Sequence, residues 1–126
     1  MAGDSTEDYH GIIIMESLSD KSILDSLKIL GRKDGRIWTM LRVGVETGKF
    51  QGVIKSISRN LMVVNGIPYY AHFYRRNELI VVFPGKIFFM TPDKETWQPV
   101  LDFGKSNGIP EQELDFFPCR FEDETY

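Results

Sequence analysis

One segment of the chain combines residue types that can transfer a proton or bind an anion. If residues 69–75 form a strand, alternate side chains lie on one face about 7 Å apart. An imidazole then stands between two phenols and two arginines follow at the strand end, which gives the candidate ligand-binding residues Tyr70, His72, Tyr74, Arg75 and Arg76. Imidazole transfers protons near neutral pH, and guanidinium binds carboxylate or phosphate. The segment therefore fits an acid–base site or an anion pocket.

The same residues also fit a purely structural interpretation. Aromatic side chains can fill a sheet face beneath a helix, where His72 would donate to a backbone carbonyl. Catalysis requires further groups in contact with the imidazole, and the sequence does not identify them. We therefore favour the structural interpretation, and the catalytic residues of any enzyme activity stay unknown.

Other chemistries lack the residues that they need. The chain has one cysteine, Cys119, and two histidines, His10 and His72, which are too few for a cysteine-rich zinc site. His10 directly follows the acidic start of the chain and is given no role. The sequence contains neither a phosphate-binding glycine loop nor a serine nucleophile elbow. We expect no metal and no cofactor.

The composition is that of one globular domain. Of the 126 residues 42% are hydrophobic and 26% are charged, and no stretch approaches the ~20 apolar residues that cross a bilayer. The acidic start lacks the basic and apolar regions of a secretory signal. A single cysteine excludes an intrachain disulfide, which suits a reducing compartment. We expect a soluble cytoplasmic protein with no membrane association.

The net charge of −3 is unevenly distributed along the chain. Residues 1–9 carry three acids and no base, and residues 111–126 carry six acids and one base, so residues 10–110 have a net charge of +5. Eight bases and two acids lie within 28–59. A solvated surface balanced by the acidic ends is the simpler interpretation. The alternative is an anion-facing patch that the acidic ends partly mask.

Hydrophobic periodicity predicts the order βαβαβββα. The predicted elements are a strand at 12–15, a helix at about 20–30, a strand at 37–45, a helix from 47 to the Asn65-Gly66 turn, strands at 69–75, 79–83 and 86–90, and a helix within 92–107. Pro84-Gly85 favours a type II turn, which suits a tight hairpin poorly, so a wider loop or a bulge is expected there. Pro99 either kinks the last helix or lies in its first turn.

These elements predict an α+β fold. The strands of 69–90 should form an antiparallel meander within one mixed or antiparallel sheet of four or five strands, with about three helices on one face. Such a fold is a two-layer sandwich, ferredoxin-like or related. We expect residues 1–9 to be a disordered acidic leader, residues 10–118 a single domain and residues 119–126 an acidic tail.

The C-terminal half of the chain resembles a known group of proteins. The resemblance is carried by the runs Tyr-Tyr-Ala-His-Phe, Leu-Ile-Val-Val-Phe and Lys-Ile-Phe-Phe within 69–90, and by Trp97, Gly104, Gly108-Ile109-Pro110 and Leu114-Asp115-Phe116. These features are similar to those of small uncharacterised prokaryotic α+β proteins of unknown function. That family has no assigned activity and no catalytic motif, so the resemblance implies no functional residue.

Three functions are compatible with the sequence. We favour a non-catalytic binding or assembly module that self-associates as a homodimer, because the strands of 79–90 are almost uncharged and an edge strand of this kind pairs readily. The second is a small enzyme or a sensor of an anionic metabolite that uses His72 with Arg75 or Arg76. Binding of RNA or DNA through sheet aromatics is the least favoured, since the pI is near 5.4 and no basic run occurs.

Overall fold

The computed structural model describes residues 8–91 and 93–109. Within these residues the chain forms eight strands and two α-helices: β1 (Tyr9–Ile14), β2 (Lys28–Asp34), β3 (Thr39–Val45), α1 (Phe50–Asn60), β4 (Val63–Val64), β5 (Ile67–Pro68), β6 (Ala71–Arg75), β7 (Glu78–Phe83), β8 (Lys86–Met90) and α2 (Gln98–Ser106). Short 3₁₀ turns lie at Met15–Ser17, Lys21–Ser26, Thr47–Lys49 and Lys94–Trp97. The predictions made for residues 1–7 and for the acidic tail at 119–126 lie outside the described residues.

Six strands form one antiparallel sheet in the order β2-β3-β1-β6-β7-β8. The predicted meander within 69–90 is confirmed as β6, β7 and β8. β1 lies inside the sheet because it pairs with β3 on one side and with β6 on the other. The remaining strands, β4 and β5, form a separate hairpin whose Asn65 and Gly66 both have positive φ, as a type I′ turn requires.

The two helices pack on opposite faces of the six-stranded sheet. Successive residues of a strand point to opposite faces. In β7, Ile80 and Val82 join the hydrophobic cluster of α1, whereas Leu79, Val81 and Phe83 join the cluster of α2. The prediction of a ferredoxin-like two-layer sandwich with four or five strands and about three helices on one face is therefore wrong. The described chain has six strands in its main sheet, one α-helix on each side and a small additional hairpin.

The largest local error lies in the helix predicted at 20–30. Lys21–Ser26 form only a 3₁₀ turn, and Lys28–Asp34 form β2 at one edge of the sheet. The apolar spacing of the segment fits a helix, but pairing with β3 satisfies the backbone N–H and C=O groups in another way. Leu30, which was expected on a helix face, lies against Gly44 of β3. Its burial comes from pairing with β3, and the apolar periodicity of the segment itself does not report that partner.

The second predicted helix is confirmed as α1. Its apolar stripe is buried in the core and consists of Phe50, Val53, Ile54 and Ile57. The helix ends at Asn60, five residues before the predicted Asn65-Gly66 stop. The chain leaves the helix there because the segment around Ser17 pairs with it: Met62 N–H donates to the Ser17 carbonyl at 2.9 Å, and Ser19 N–H donates to the Asn60 carbonyl at 2.8 Å.

The turn between β7 and β8 is tight, and the expected wider loop or bulge is wrong. Phe83 pairs with Lys86, so only Pro84 and Gly85 connect the strands, and Gly85 has a φ of 75°. Ser58 of α1 accounts for this turn. Its hydroxyl donates to the Phe83 carbonyl at 2.6 Å and accepts from the Gly85 N–H at 2.8 Å. A helix side chain thus supplies the hydrogen bonds that hold a turn poorly suited to a hairpin.

The last helix resolves the alternatives left by Pro99. Pro99 lies in the first turn of α2, where a backbone N–H group would have no intrahelical acceptor. Proline, which lacks that N–H, therefore loses no helical hydrogen bond at this position. At the other end Gly108 has a φ of 90°, and Ile109 N–H donates to the Gly104 carbonyl at 3.0 Å, as in a Schellman motif. No helix within the described ranges is long and apolar enough to cross a membrane.

Candidate functional site

β6 distributes the predicted site residues over both faces of the sheet. Phe73 is buried against α1, so its neighbours His72 and Tyr74, which are half-buried, lie on the opposite face. Tyr70 precedes the strand, and its ring lies 5.5 Å from that of Phe83, between centroids. Tyr70 therefore packs at the margin of the α2 cluster, on the same side of the sheet as His72.

Strand pairing brings two further basic residues to this face. His10 of β1 pairs with Tyr74, and Ile12 pairs with His72 on one side and with Arg42 on the other. Directly opposed residues of antiparallel strands share a face. We call His10, Arg42, His72 and Tyr74 the polar cluster. None of the four side chains lacks an interaction partner.

His10 is the member that the sequence interpretation missed. It was assigned no role because it follows the acidic start, yet β1 begins at Tyr9 and His10 is only 7% exposed. A signal for the longer strand was present. In a strand that begins at Tyr9, Tyr9 and Gly11 lie on the same face as Ile13. His10 and Ile12 then lie on the opposite face.

Arg42 is held by a β-bulge in β2. The register with β3 shifts between Ile29 and Gly31, so Leu30 is the extra residue on the bulged strand. Nη2 of Arg42 donates to the Leu30 carbonyl at 2.8 Å. Gly44, which follows Arg42 on the same face, has no side chain, and the Leu30 side chain occupies that space. The bulge and the glycine together fix a half-buried guanidinium on the sheet.

Arg75 lies on the opposite face, away from His72. Its Nη2 and Nε donate to Glu78 Oε2 at 2.9 and 3.1 Å, and its Nη1 donates to Thr47 Oγ1 at 3.1 Å. The guanidinium also lies 4.5 Å from the ring centroid of Tyr9. These contacts join the β6–β7 hairpin to the segment before α1. The structure does not bring Arg75 and His72 together.

Tyr9 completes this second polar network. Its ring stacks on Phe50 with 3.5 Å between centroids, and its hydroxyl donates to Glu78 Oε1 at 2.9 Å. Burial, followed by the hydrogen bond to Glu78 and the negative charge of Glu78, raises the pKa of Tyr9 to about 12, against a smaller opposing effect of Arg75. The phenol is therefore protonated at neutral pH and stabilises the fold as a hydrogen-bond donor.

Arg76 lies in the two-residue turn between β6 and β7, because Arg75 pairs with Glu78. Its φ of 54° is left-handed, so strand alternation does not set the direction of its side chain. Three of the five predicted residues share one side of the sheet: Tyr70, His72 and Tyr74.

The polar cluster is chemically suited to negative charge. It presents a guanidinium, two imidazoles and a phenol, all of which can donate hydrogen bonds. The described residues contain no group of three or more His, Cys, Asp or Glu side chains that could hold a metal ion. The cluster can therefore orient and neutralise an anion through its donors.

The two edges of the sheet differ in chemistry. β2 is bulged and highly charged, two features that discourage pairing with another chain. Its charged residues are Lys28, Arg32, Lys33 and Asp34. Among the described strands β8 pairs only with β7, and Lys86 is its single charged residue. Phe89 of β8 is 62% exposed, on the side of the sheet that faces α1.

Comparison with known proteins gives no family for this chain. No protein-family model, curated protein or solved structure matches it. The resemblance to small prokaryotic proteins therefore stays a prediction.

Proposed function

We propose that the chain is a non-catalytic binding and assembly module that pairs with a second copy of itself through β8. The observation that carries the proposal is the place of β8 at the edge of the six-stranded sheet, with only one charged residue. The outer N–H and C=O groups of an edge strand can bond to another strand, and an apolar edge gains from burial when it pairs. The single cysteine in the sequence supports the reducing cytoplasm as its location.

Symmetry restricts how two β8 strands can pair. In an antiparallel continuation of the sheet, opposed residues share a face and the two-fold axis is perpendicular to the sheet. Each residue then stands opposite a residue that points to the same face. The axis therefore passes between one residue and the same residue of the second copy. Centring the axis on Phe88 uses the whole strand. Ile87 then stands opposite Phe89 of the second copy, and Lys86 stands opposite Met90 of the second copy.

This register makes the α1 side of the interface apolar. Ile87 already packs on the core of its own chain, whereas Phe89 is largely exposed. Pairing covers both Phe89 rings, because each meets Ile87 of the other copy. Lys86 lies on the opposite face, with its ammonium 5.4 Å from the centroid of its own Phe88 ring. The one charge of the strand therefore stays outside the apolar contact.

The alternative functions have less support. An enzyme or anion sensor of the predicted kind uses His72 with Arg75 or Arg76. Glu78 holds Arg75 on the other face of the sheet, and Arg76 lies in the turn between β6 and β7, outside the strand that carries His72. Nucleic-acid binding by base stacking needs exposed sheet aromatics. Tyr70 and Phe88 pack within the α2 cluster, and Phe89 of β8 is largely exposed, but one exposed ring does not provide stacking positions for successive bases. These contacts favour a module that acts by association.

The test is the molar mass in solution. Size-exclusion chromatography with light scattering at micromolar concentrations should give twice the 14.5 kDa of one chain. Phe89→Lys removes an apolar contact at two symmetric places. Because burial of a Phe side chain contributes about 1.5–3 kcal/mol, the dimer dissociation constant should rise about a hundredfold or more.

Ile37→Lys is the matched control. Ile37 is 78% exposed and lies in the connection between β2 and β3, near the edge of the sheet opposite to β8. The same apolar-to-lysine change at this position should leave the dissociation constant unchanged. A chain that stays at 14.5 kDa at every concentration, or an equal loss of dimer in both variants, would show that β8 is not the interface.

A further inference from the structure

We propose that the polar cluster is a binding site for a small anion, whose carboxylate or phosphate oxygens lie above Ile12 between Arg42 and His72. This site goes beyond the assembly function, because it lies on β1, β3 and β6. β7 separates β6 from the β8 edge.

The strand register sets the size of the site. Ile12 pairs with both Arg42 and His72, so these two residues stand two strand spacings apart, or roughly 10 Å between Cα atoms. The half-buried Ile12 forms an apolar floor between them. Because Nη2 of Arg42 bonds to the Leu30 carbonyl on the β2 side, the other N–H groups of the guanidinium and the imidazole of His72 are the groups that an anion above Ile12 would contact. His10 and Tyr74 stand in the neighbouring row, about 7 Å away along the strands.

The surrounding charges also favour an anion. Lys28 and Lys33 of β2 pair with β3 residues on this same face. Among the described residues of β1, β2, β3 and β6 that point to it, none is a carboxylate. Lys28 is offset by Asp8, with which it is paired at 2.7 Å, and by Glu46, which also acts on it, so the positive charge of this face comes from Lys33 and Arg42. The polar cluster thus combines positive charge with partial burial, and partial burial strengthens a charge-assisted hydrogen bond because less water competes for the donors.

The required oxygens can come from two sources with the same chemistry. One source is a free small anion. The other is the set of carboxylates in the chain's own residues 111–126, which contain six acids against one base. The full-length chain distinguishes them when it is compared with a full-length variant in which those acids are changed to amides: Glu111→Gln, Glu113→Gln, Asp115→Asn, Glu122→Gln, Asp123→Asn and Glu124→Gln.

The probes are inorganic phosphate and citrate, titrated by calorimetry and followed through the imidazole NMR signals of His10 and His72. Binding to the unmodified chain identifies a free anion. Binding that emerges only in the amide variant identifies the chain's own carboxylates as the competing occupant. In whichever of these two proteins binds phosphate, Arg42→Gln should raise the dissociation constant for phosphate about tenfold or more, because one charge-assisted contact is lost.

Two further variants separate the site from the fold and from overall charge. Arg42→Gln also removes the bond to the Leu30 carbonyl, so His72→Gln, which keeps that bond, must weaken binding as well. Arg59→Gln is the charge control, because Arg59 is exposed on α1, across the sheet. Absence of binding in both backgrounds, or equal weakening by Arg59→Gln, would overturn the proposal.

Discussion

Gly11 occupies a position in which a single added carbon should damage the centre of the sheet. It pairs with Val43 and with Phe73, on the face covered by α1. A Cβ atom built on Gly11 would lie 2.4 Å from Cδ1 of Phe73 and 2.6 Å from the backbone oxygen of His72. Both distances are well below an ordinary contact of 3.4–4 Å. Gly11→Ala therefore requires a ring and a strand to move.

Neither group can move freely. Phe73 is fully buried, and its ring lies edge-on to Phe50 with 5.6 Å between centroids. The oxygen of His72 belongs to β6, so that strand must separate from β1 by roughly 0.8 Å, the difference between 2.6 Å and 3.4 Å. Overpacking costs about 1–3 kcal/mol, and each weakened ladder hydrogen bond costs about 1 kcal/mol more. We expect Gly11→Ala to lower the free energy of unfolding by about 3 kcal/mol, a large fraction of the total.

Urea unfolding followed by tryptophan fluorescence measures this loss. Gly48→Ala is the control, because nothing lies within 4 Å of its added Cβ atom, and its midpoint should barely change. Adding Phe73→Leu to Gly11→Ala should restore only part of the stability, since the contact with the His72 oxygen persists. A loss below about 1 kcal/mol for Gly11→Ala would refute the close approach of β1 and β6.

Two further predictions concern α1 and the Tyr9 network. Gly52→Ala should stabilise the fold by about 0.5–1 kcal/mol, because nothing lies within 4 Å of the added Cβ atom and alanine favours a helix; a lower urea midpoint would contradict this. Tyr9 has a pKa of about 12 when folded and an ordinary value of 10.0, so its contribution is complete below pH 10 and is lost as the pH rises to 12. Glu78→Gln should move this pKa part of the way back towards 10.0, because burial remains; phenolate absorbance measures this against a Tyr9→Phe reference, and an unchanged titration would show that Glu78 does not contribute to the shift.

Elements that depend on local patterns were predictable from the sequence. The apolar stripe of α1 and the alternation of β6 and β7 both arise within a few residues, and the short turns between β6, β7 and β8 leave an antiparallel meander as the simplest arrangement. β2 was not predictable in this way. The helical spacing of Ile23, Leu24, Leu27 and Leu30 runs into the start of β2, and what makes the segment a strand is its pairing with β3, which lies outside that pattern.

The residues of the candidate site also differ in whether a local pattern predicts their position. Alternation within β6 suffices to put His72 and Tyr74 on one face, and the same alternation sends Arg75 to the other. His10 and Arg42 reach this face only because β1 lies between β3 and β6. Strand order is a property of the whole chain, and no pattern within a single segment encodes it. Arg42, the strongest cation of the polar cluster, could therefore not be assigned to this face from sequence motifs.

The two proposed sites have a defined geometric relation in the dimer. A two-fold axis perpendicular to the sheet keeps each face on its own side, so a dimer paired through β8 presents both polar clusters on one face. The two β1 strands are then seven strand spacings apart, or roughly 34 Å in a flat sheet. Both copies of α2 lie between them, because α2 covers β7 and β8 on that same face.

Sites at this distance with no shared contact should act independently. The effects of Phe89→Lys on the dimer and of Arg42→Gln on the anion should then add within about 0.5 kcal/mol in the double variant. One anion should bind per chain, whether or not the chains are paired. A change in anion affinity on dimerisation would require the sheet to transmit a displacement from β8 to β1 through β7 and β6. The pairing geometry proposed here provides no such displacement, since it leaves β7 and β6 bonded as they are in the single chain.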